Sequence, residues 1–329
     1  MKLRFLILAG VILAAAVPAR PQTAGEPTKR FQLEVFGYRT TLREDPLNNA
    51  VGFQSDRQEY FYSTYLAYLY NAAILSSWKE TVDGSWTGLA STYPLGVRLK
   101  YHISDHIIVS LGAEHLRSKA TTSLSGLYER NYADGSTDQL SFEFKPFELT
   151  VTAWAPMIGL HIYEPAKENW SAEGGVLIGP VFGRILAESS WIERGAALAF
   201  NEGTPRLDPS RTSQGTYRME GSGVGFCVEA EGHLSYFLTR SFGIFASINI
   251  GFRTVPKLSG PGREVRDGIT TEWDGEWGMK QTTYQRAWDR LTAEYPSNDW
   301  TTDPTAVRTG NFHLDLSGIW MGVGLFVRF

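Results

Sequence analysis

Cysteine is nearly absent from this 329-residue chain. Cys227 stands alone, which excludes an intrachain disulfide framework and leaves a buried strand thiol as its ordinary role. Long apolar runs are scarce too. Past the N-terminal leader no stretch of about 18 apolar residues occurs, so this sequence offers no spanning helix. An excess of basic charge is also missing. The 31 Lys and Arg are outnumbered by 35 Asp and Glu, a net −4, which argues against a nucleic-acid partner. The leader itself runs Met1-Lys2-Leu3-Arg4, an apolar stretch from Phe5 to Val17, then Pro18-Ala19. A basic start, a short apolar core and small residues are the order of a secretory signal peptide, so cleavage after Ala19 is expected. Loss of Lys2 and Arg4 takes the charge from −4 to −6. No cysteine lies near that site, so lipoprotein processing is not expected.

Aromatic residues are plentiful, at 13% of the chain, and there are 33 Gly. Only helices and closed barrels satisfy the backbone in lipid, and helices are excluded. Aromatic rings at the interfaces and Gly at strand bends suit a membrane barrel. The alternative is a secreted, soluble β-rich protein.

Period-two alternation marks the strands. Phe31, Leu33 and Val35 alternate with Gln32, Glu34 and Phe36 in the first. Leu95 to Ile103 and Ile107 to Glu114 form a hairpin about Ser104-Asp105-His106. A fourth strand covers about 140–163, with Pro156 suggesting a bulge, and a fifth about 170–187. Val224 to Tyr236 and Phe242 to Arg253 make a second clear hairpin. The eighth begins near Phe312. Its apolar residues are even-numbered up to Leu316 and odd-numbered from Ile319, so a bulge is expected near Ser317-Gly318. The connections between strands are alternately short and long.

The C-terminal strand carries a family resemblance. Ile319, Met321, Val323, Leu325, Val327 and Phe329 share one face. This resembles the C-terminal signature of bacterial outer-membrane β-barrels, whose last strand ends in an aromatic residue and is read by the barrel assembly machinery. Gly324, Val327 and Phe329 fit that signature; Gly322 stands where a polar residue is usual. The resemblance implies an all-β fold: a transmembrane, antiparallel, up-and-down barrel in the bacterial outer membrane, in contact with its lipid. Eight strands are expected, with ten as the alternative. Residues 1–19 form the signal peptide and 20–329 the barrel domain. Extracellular loops are expected at about 42–92, 118–139, 188–216 and 256–310.

Some helix is expected in those loops. Residues 55–82 open on a capping box and run through Tyr60 to Leu75, rich in Ala, Leu and Tyr, as a helix of about 20 residues. Pairing Tyr60–Tyr70 with about Trp86–Tyr93 is the ten-strand alternative. Met279–Tyr295 also reads as helical.

Three constellations bear on function. The first is the set facing away from the apolar side: Glu34, Arg98, Lys100, His102, Glu114, Glu173, Glu229, Glu231, His233 and Arg253. Buried charges must be paired, so a salt-bridged network filling the lumen is expected, with an ion path as the alternative. The hairpin register places Arg98 diagonal to Glu114, so that pair should meet or share a partner. The second is His313, Asp315 and Ser317 at alternate positions of one strand. These are the types of a nucleophilic triad, but their strand spacing keeps them apart. The third is Trp273 and Asp274 with Trp277, then Trp288 and Trp300, where aromatic rings beside carboxylates suit sugar or peptide recognition. No pattern demands a cofactor or metal. The expected role is structural or surface-recognition, through an external cap that binds a ligand or a neighbouring envelope protein. A narrow transporter for small or hydrophobic molecules and a lipid-modifying enzyme are the other readings.

Overall fold

The computed structural model describes residues 30–40, 71, 75–89, 93–165, 169–195, 197–201, 204–208, 212–285, 290–297 and 306–329. The signal peptide, most of segment 55–82, Trp288 and Trp300 lie outside them. Among the described residues there are seventeen strands. They are β1 (Phe31–Arg39), β2 (Leu75–Thr87), β3 (Leu95–His102), β4 (Ile107–Tyr132), β5 (Thr137–Pro165) and β6 (Trp170–Arg194). Next come β7 (Ala197–Asn201), β8 (Thr204–Asp208), β9 (Thr212–Phe237), β10 (Phe242–Val255), β11 (Ser259–Arg266) and β12 (Ile269–Glu276). The last are β13 (Gly278–Gln285), β14 (Arg290–Ser297), β15 (Ala306–Asn311), β16 (Leu314–Asp315) and β17 (Gly318–Arg328).

Eight of them form a ring. β1 pairs with β3 and β17; β3 with β4; β4 with β5; β5 with β6; β6 with β9; β9 with β10; and β10 with β17, all antiparallel. These are the eight strands that the alternation marked. At one end the ring is drawn together by short turns. Ile103 N–H donates to Ile107 O, and the Ser104 hydroxyl accepts from Ile107 N–H. Leu238 N–H donates to Phe242 O, and the Thr239 hydroxyl accepts from Phe242 N–H. Phe329 exchanges two backbone bonds with Phe31 and stacks on its ring, which seats the last residue in the sheet.

At the other end the strands run far past the ring's shortest members. Residues 118–139, expected as a polar loop, are strand on both sides of a tight turn at 133–136, where Gly135 has φ of 82°. Residues 75–87, expected as helix and loop, are strand β2 on the free edge of β4. Residues 188–194 and 212–216 continue β6 and β9 in unbroken register. β11 continues the line of β10 along β9, and β12 folds back on it. Met279–Tyr295, expected as helix, holds β13 and β14, which pair with each other.

The bulge expected near Ser317-Gly318 is absent. β10 pairs Gly251 with Gly318 and Thr254 with Asp315 in one constant register. Even-numbered residues face inward throughout: Phe312, Leu314, Leu316, Trp320 and Phe326 are buried, while Ile319, Met321 and Val323 are exposed. It is the face carrying the apolar residues that changes along the strand.

That change recurs round the ring. On β4, Ile107 and Leu111 point outward, with Ser110 and Glu114 inward. Further along, the outward residues are His115, Arg117 and Lys119; the inward ones are Leu116, Ala120 and Leu124. On β9, outward Val224, Phe226, Val228 and Leu234 give way to Ser222, Glu220 and Arg218. Inward Glu229, Glu231 and His233 give way to Met219. Near the short turns the ring is apolar outside and charged inside. Beyond Glu114 on β4 and Phe182 on β6 it is polar outside and apolar inside, with Val151, Val181, Ile185, Val255 and Leu314 in one cluster.

Candidate functional site: the interior of the ring

The polar and charged residues come together because they occupy inward positions on seven strands of the ring. β1 supplies Glu34, β3 Arg98 and Lys100, β4 Glu114, β5 His161, β6 Glu173, β9 Glu229, Glu231 and His233, and β10 Asn249 and Arg253. A ring of eight strands is just wide enough for side chains to fill, and here they fill it by pairing.

Arg98 is at the centre. It is ion-paired to Glu231 and lies 3.7 Å from Glu114 and 3.9 Å from Glu34. The expected meeting of Arg98 with Glu114 is therefore found. Its guanidinium also stands 5.0 Å over the Phe36 ring. Lys100 Nζ lies 2.8 Å from Glu34 and 2.6 Å from Glu173. Arg253 binds Glu114 and Glu229 and covers Trp320 at 4.6 Å. Asn249 donates to Glu231 at 3.1 Å and to the Tyr38 hydroxyl at 3.3 Å; that hydroxyl in turn donates to Glu114. Such a network resists loss of any one member, because the partner left behind is a buried charge.

Two histidines contact the carboxylates. His233 Nε2 is 2.8 Å from Glu231, and its ring stacks on Phe245. His161 Nδ1 is 2.9 Å from Glu173, and its Nε2 lies 2.7 Å from the Ser110 hydroxyl. His102 sits lower, half-buried and edge-on to Tyr163, outside the ion pairs. Below it Arg328 donates to Gln32 at 2.6 Å and covers Phe237. Sequence reading missed His161, Tyr38 and Asn249. The signal for His161 was present, since it is in phase with Tyr163 on β5, but Pro156 had blurred the phase of that strand.

Outside the ring, aromatic residues gather at two levels. Phe31, Tyr101 and Phe329 cluster near the short turns, as do Trp170 and Tyr236 at 4.8 Å. Trp154, Phe182 and the Phe226–Phe252 pair lie at the level where the polarity changes. Between them the outward residues are aliphatic. Tyr236 to Val224 is about 12 residue steps, or about 40 Å of strand and about 30 Å along the axis at a tilt of about 45°.

The remaining candidates are dispersed. Trp277 is buried, packs near Phe312 and donates its indole N–H to Glu220 O, so it belongs to the apolar interior. Trp273 and Asp274 line an outer cleft of about 550 Å³ with Arg218, Glu220 and Arg263. Ser317 is bonded to the backbone of Arg253, and Asp315 accepts from Ser317 N–H. Neither hydroxyl nor carboxylate meets His313 among the described contacts, so no triad forms. Gly324 lies against the Phe245 ring, and Val327 is buried in the wall.

No family model matches the chain, and no curated protein matches it. Among solved structures it is similar to the outer membrane protein OprG from Pseudomonas aeruginosa. Identity is 9%, coverage is 93% of this chain and 98% of that one, and the TM-score is 0.33. A bacterial polysaccharide outer membrane secretin is a more distant likeness, with 8% identity, 92% and 100% coverage and a TM-score of 0.15. Likenesses this slight carry no argument, so function has to be read from the strands and their side chains.

Proposed function

We propose that this chain is a bacterial outer-membrane β-barrel whose lumen is plugged by its ion-pair network and whose role is structural or surface-recognition. One observation carries the reading: the polarity inversion along every long strand of the ring. An aliphatic outer belt about 30 Å tall between two aromatic levels matches the lipid-facing band of such barrels. In water the same belt would be a continuous exposed apolar surface far larger than soluble monomers tolerate. The outward turn to Ser, Thr and charged residues marks where the strands leave the lipid.

The short turns then face the periplasm and the long extensions face outward. Recognition falls to the outer extension, where the cleft of Trp273, Asp274 and Arg218 offers a ring beside charges of both signs. A narrow transporter for hydrophobic molecules is the second reading, favoured by the apolar interior above Glu114. Membrane fractionation and gel mobility test the main proposal. The expected result is a band in the outer-membrane fraction whose mobility changes on boiling; recovery in soluble form without detergent sinks it. Uptake of apolar solutes by vesicles carrying the protein, above the rate for empty vesicles, would favour the second.

A further inference from the structure

The buried network has more negative charge than its own cations cancel. Glu34, Glu114, Glu173, Glu229 and Glu231 make five carboxylates; Arg98, Lys100 and Arg253 make three cations, leaving −2 with neutral histidines. The cations are shared: Arg98 holds Glu231, Lys100 lies between Glu34 and Glu173, and Arg253 between Glu114 and Glu229, while His161 stands between Glu173 and Glu231.

His161 Nδ1 stands 2.9 Å from Glu173 Oε1 and 3.7 Å from Glu231 Oε1, and the three ligand atoms all lie within 4.8 Å of one another. His161 Nδ1 is buried and has no hydrogen-bond partner among the described residues, while Glu173 Oε1 is held by the Lys100 ammonium at 2.6 Å. An imidazole nitrogen and a carboxylate oxygen that converge at 2.9 Å can share a cation. A four-coordinate Zn²⁺ with bonds of about 2.0–2.1 Å needs ligand-to-ligand edges of about 3.3 Å, and the two measured edges bracket that length.

The surroundings fit as well. A metal-bound imidazole donates its other N–H to an outer partner, which fixes the ring. The Ser110 hydroxyl, 2.7 Å from His161 Nε2, is placed to accept it. His233 stands beside the same carboxylates and forms a second three-ligand group with Glu34 and Glu173. The resident competitors are Lys100, whose ammonium reaches Glu173 at 2.6 Å, and Arg98 and His233, which hold Glu231.

We propose that the ring interior binds one divalent transition metal of zinc type between His161, Glu173 and Glu231. Imidazole with carboxylate favours such ions over calcium or magnesium, which take oxygen alone. The site depends on the ring interior, not on the membrane reading, and stands if fractionation shows a soluble protein.

The test titrates chelator-stripped, detergent-purified full-length protein with zinc chloride, by calorimetry and by competition with a chromogenic chelator. One equivalent is expected. Folded His161→Ala and Glu173→Gln should each weaken binding about 100-fold or more, and Ser110→Ala about 10-fold. Lys100→Met removes one competing charge and should tighten binding about 10-fold. Cobalt(II) should give visible absorption that His161→Ala abolishes. His115→Ala, on the outer face, should change nothing. No stoichiometric binding, equal affinity in folded His161→Ala, or loss of affinity in Lys100→Met or His115→Ala would each overturn the proposal. Where His161→Ala fails to show the boiled and unboiled mobility difference of folded protein, the Ser110 and Lys100 variants decide.

Discussion

The two halves of the ring solve opposite solvation problems with one backbone. Near the short turns the outward face is aliphatic and the inward face is a charge network; beyond Glu114 and Phe182 the outward face is polar and the inward face is an aliphatic core. The strands do not break where the rule reverses, and the register does not slip. A strand therefore carries no fixed inside or outside chemistry. On the proposed membrane reading, each face takes what its own medium requires, and the reversal point marks the boundary between media.

The comparison can be broken at either half. The largest effects are expected where one half's interior chemistry is removed. Trp277→Ala should cost about 3–5 kcal/mol, because it empties the centre of the upper core. Trp273→Ala, on the outer cleft, should cost under about 1 kcal/mol. Urea unfolding in lipid vesicles, followed by tryptophan fluorescence or gel mobility, measures both, and equal losses would place the two rings in one environment. In the lower half Arg98→Leu should cost about 3–5 kcal/mol by stranding Glu231, Glu34 and Glu114. A loss below about 1 kcal/mol there would mean that water reaches the network and screens it.

The outer faces sharpen the contrast at smaller cost. Ile248→Arg puts a charge in the middle of the aliphatic belt and should cost about 2–4 kcal/mol, whereas Ser222→Arg, above the reversal on β9, should cost about 0–1. Similar values for the two would remove the lipid boundary from where the sequence polarity places it. The smallest effect concerns the far tip. Gly135 has φ of 82°, and a Cβ added there would meet nothing within 4 Å, so Gly135→Ala brings only backbone strain, about 1 kcal/mol. Hydrogen exchange at the tip should register it while exchange within the ring stays unchanged.

Strand identity was legible where an apolar outward face alternates with a polar inward one. Ile107 to Glu114, Val224 to Tyr236 and Phe242 to Arg253 alternate so clearly that their strands and inward charges follow from the sequence alone. Arg98, Glu114, Glu231 and Arg253 stand where that alternation puts them. Strand length was not legible. Between Ser118 and Tyr132 the outward residues are Lys119, Thr121, Ser123 and Ser125, and the inward ones include Ser118, Ala120 and Thr122. Small and hydroxylated residues on both faces remove the amphipathic contrast, and the stretch passes for a loop. Met279–Tyr295 misled in another way: its local helix propensity yields to the pairing of β13 with β14 and β15. At Ser317 the parity of the apolar residues does change, but because they pass from the inner to the outer face rather than because the backbone slips. Trp277 resembled Trp273 in sequence and lies in phase with it, extending the β11–β12 ladder through its N–H to Leu258 O; it is buried where Trp273 is half-buried.

The β4–β5 hairpin has a mechanical meaning. From Glu114 to the turn after Tyr132 the two strands stay paired almost without interruption, broken only by one local shift at Thr122–Leu124. That is about 18 residue steps, or about 60 Å of ladder. Cross-strand bonds loaded along the strand direction act in parallel, so such a hairpin is a stiff cantilever rather than a tether. A pull on Asp134-Gly135 would be carried down into the wall at Arg98 and Glu114 instead of being absorbed at the tip. A load applied at that tip therefore reaches the ion-pair network inside the ring.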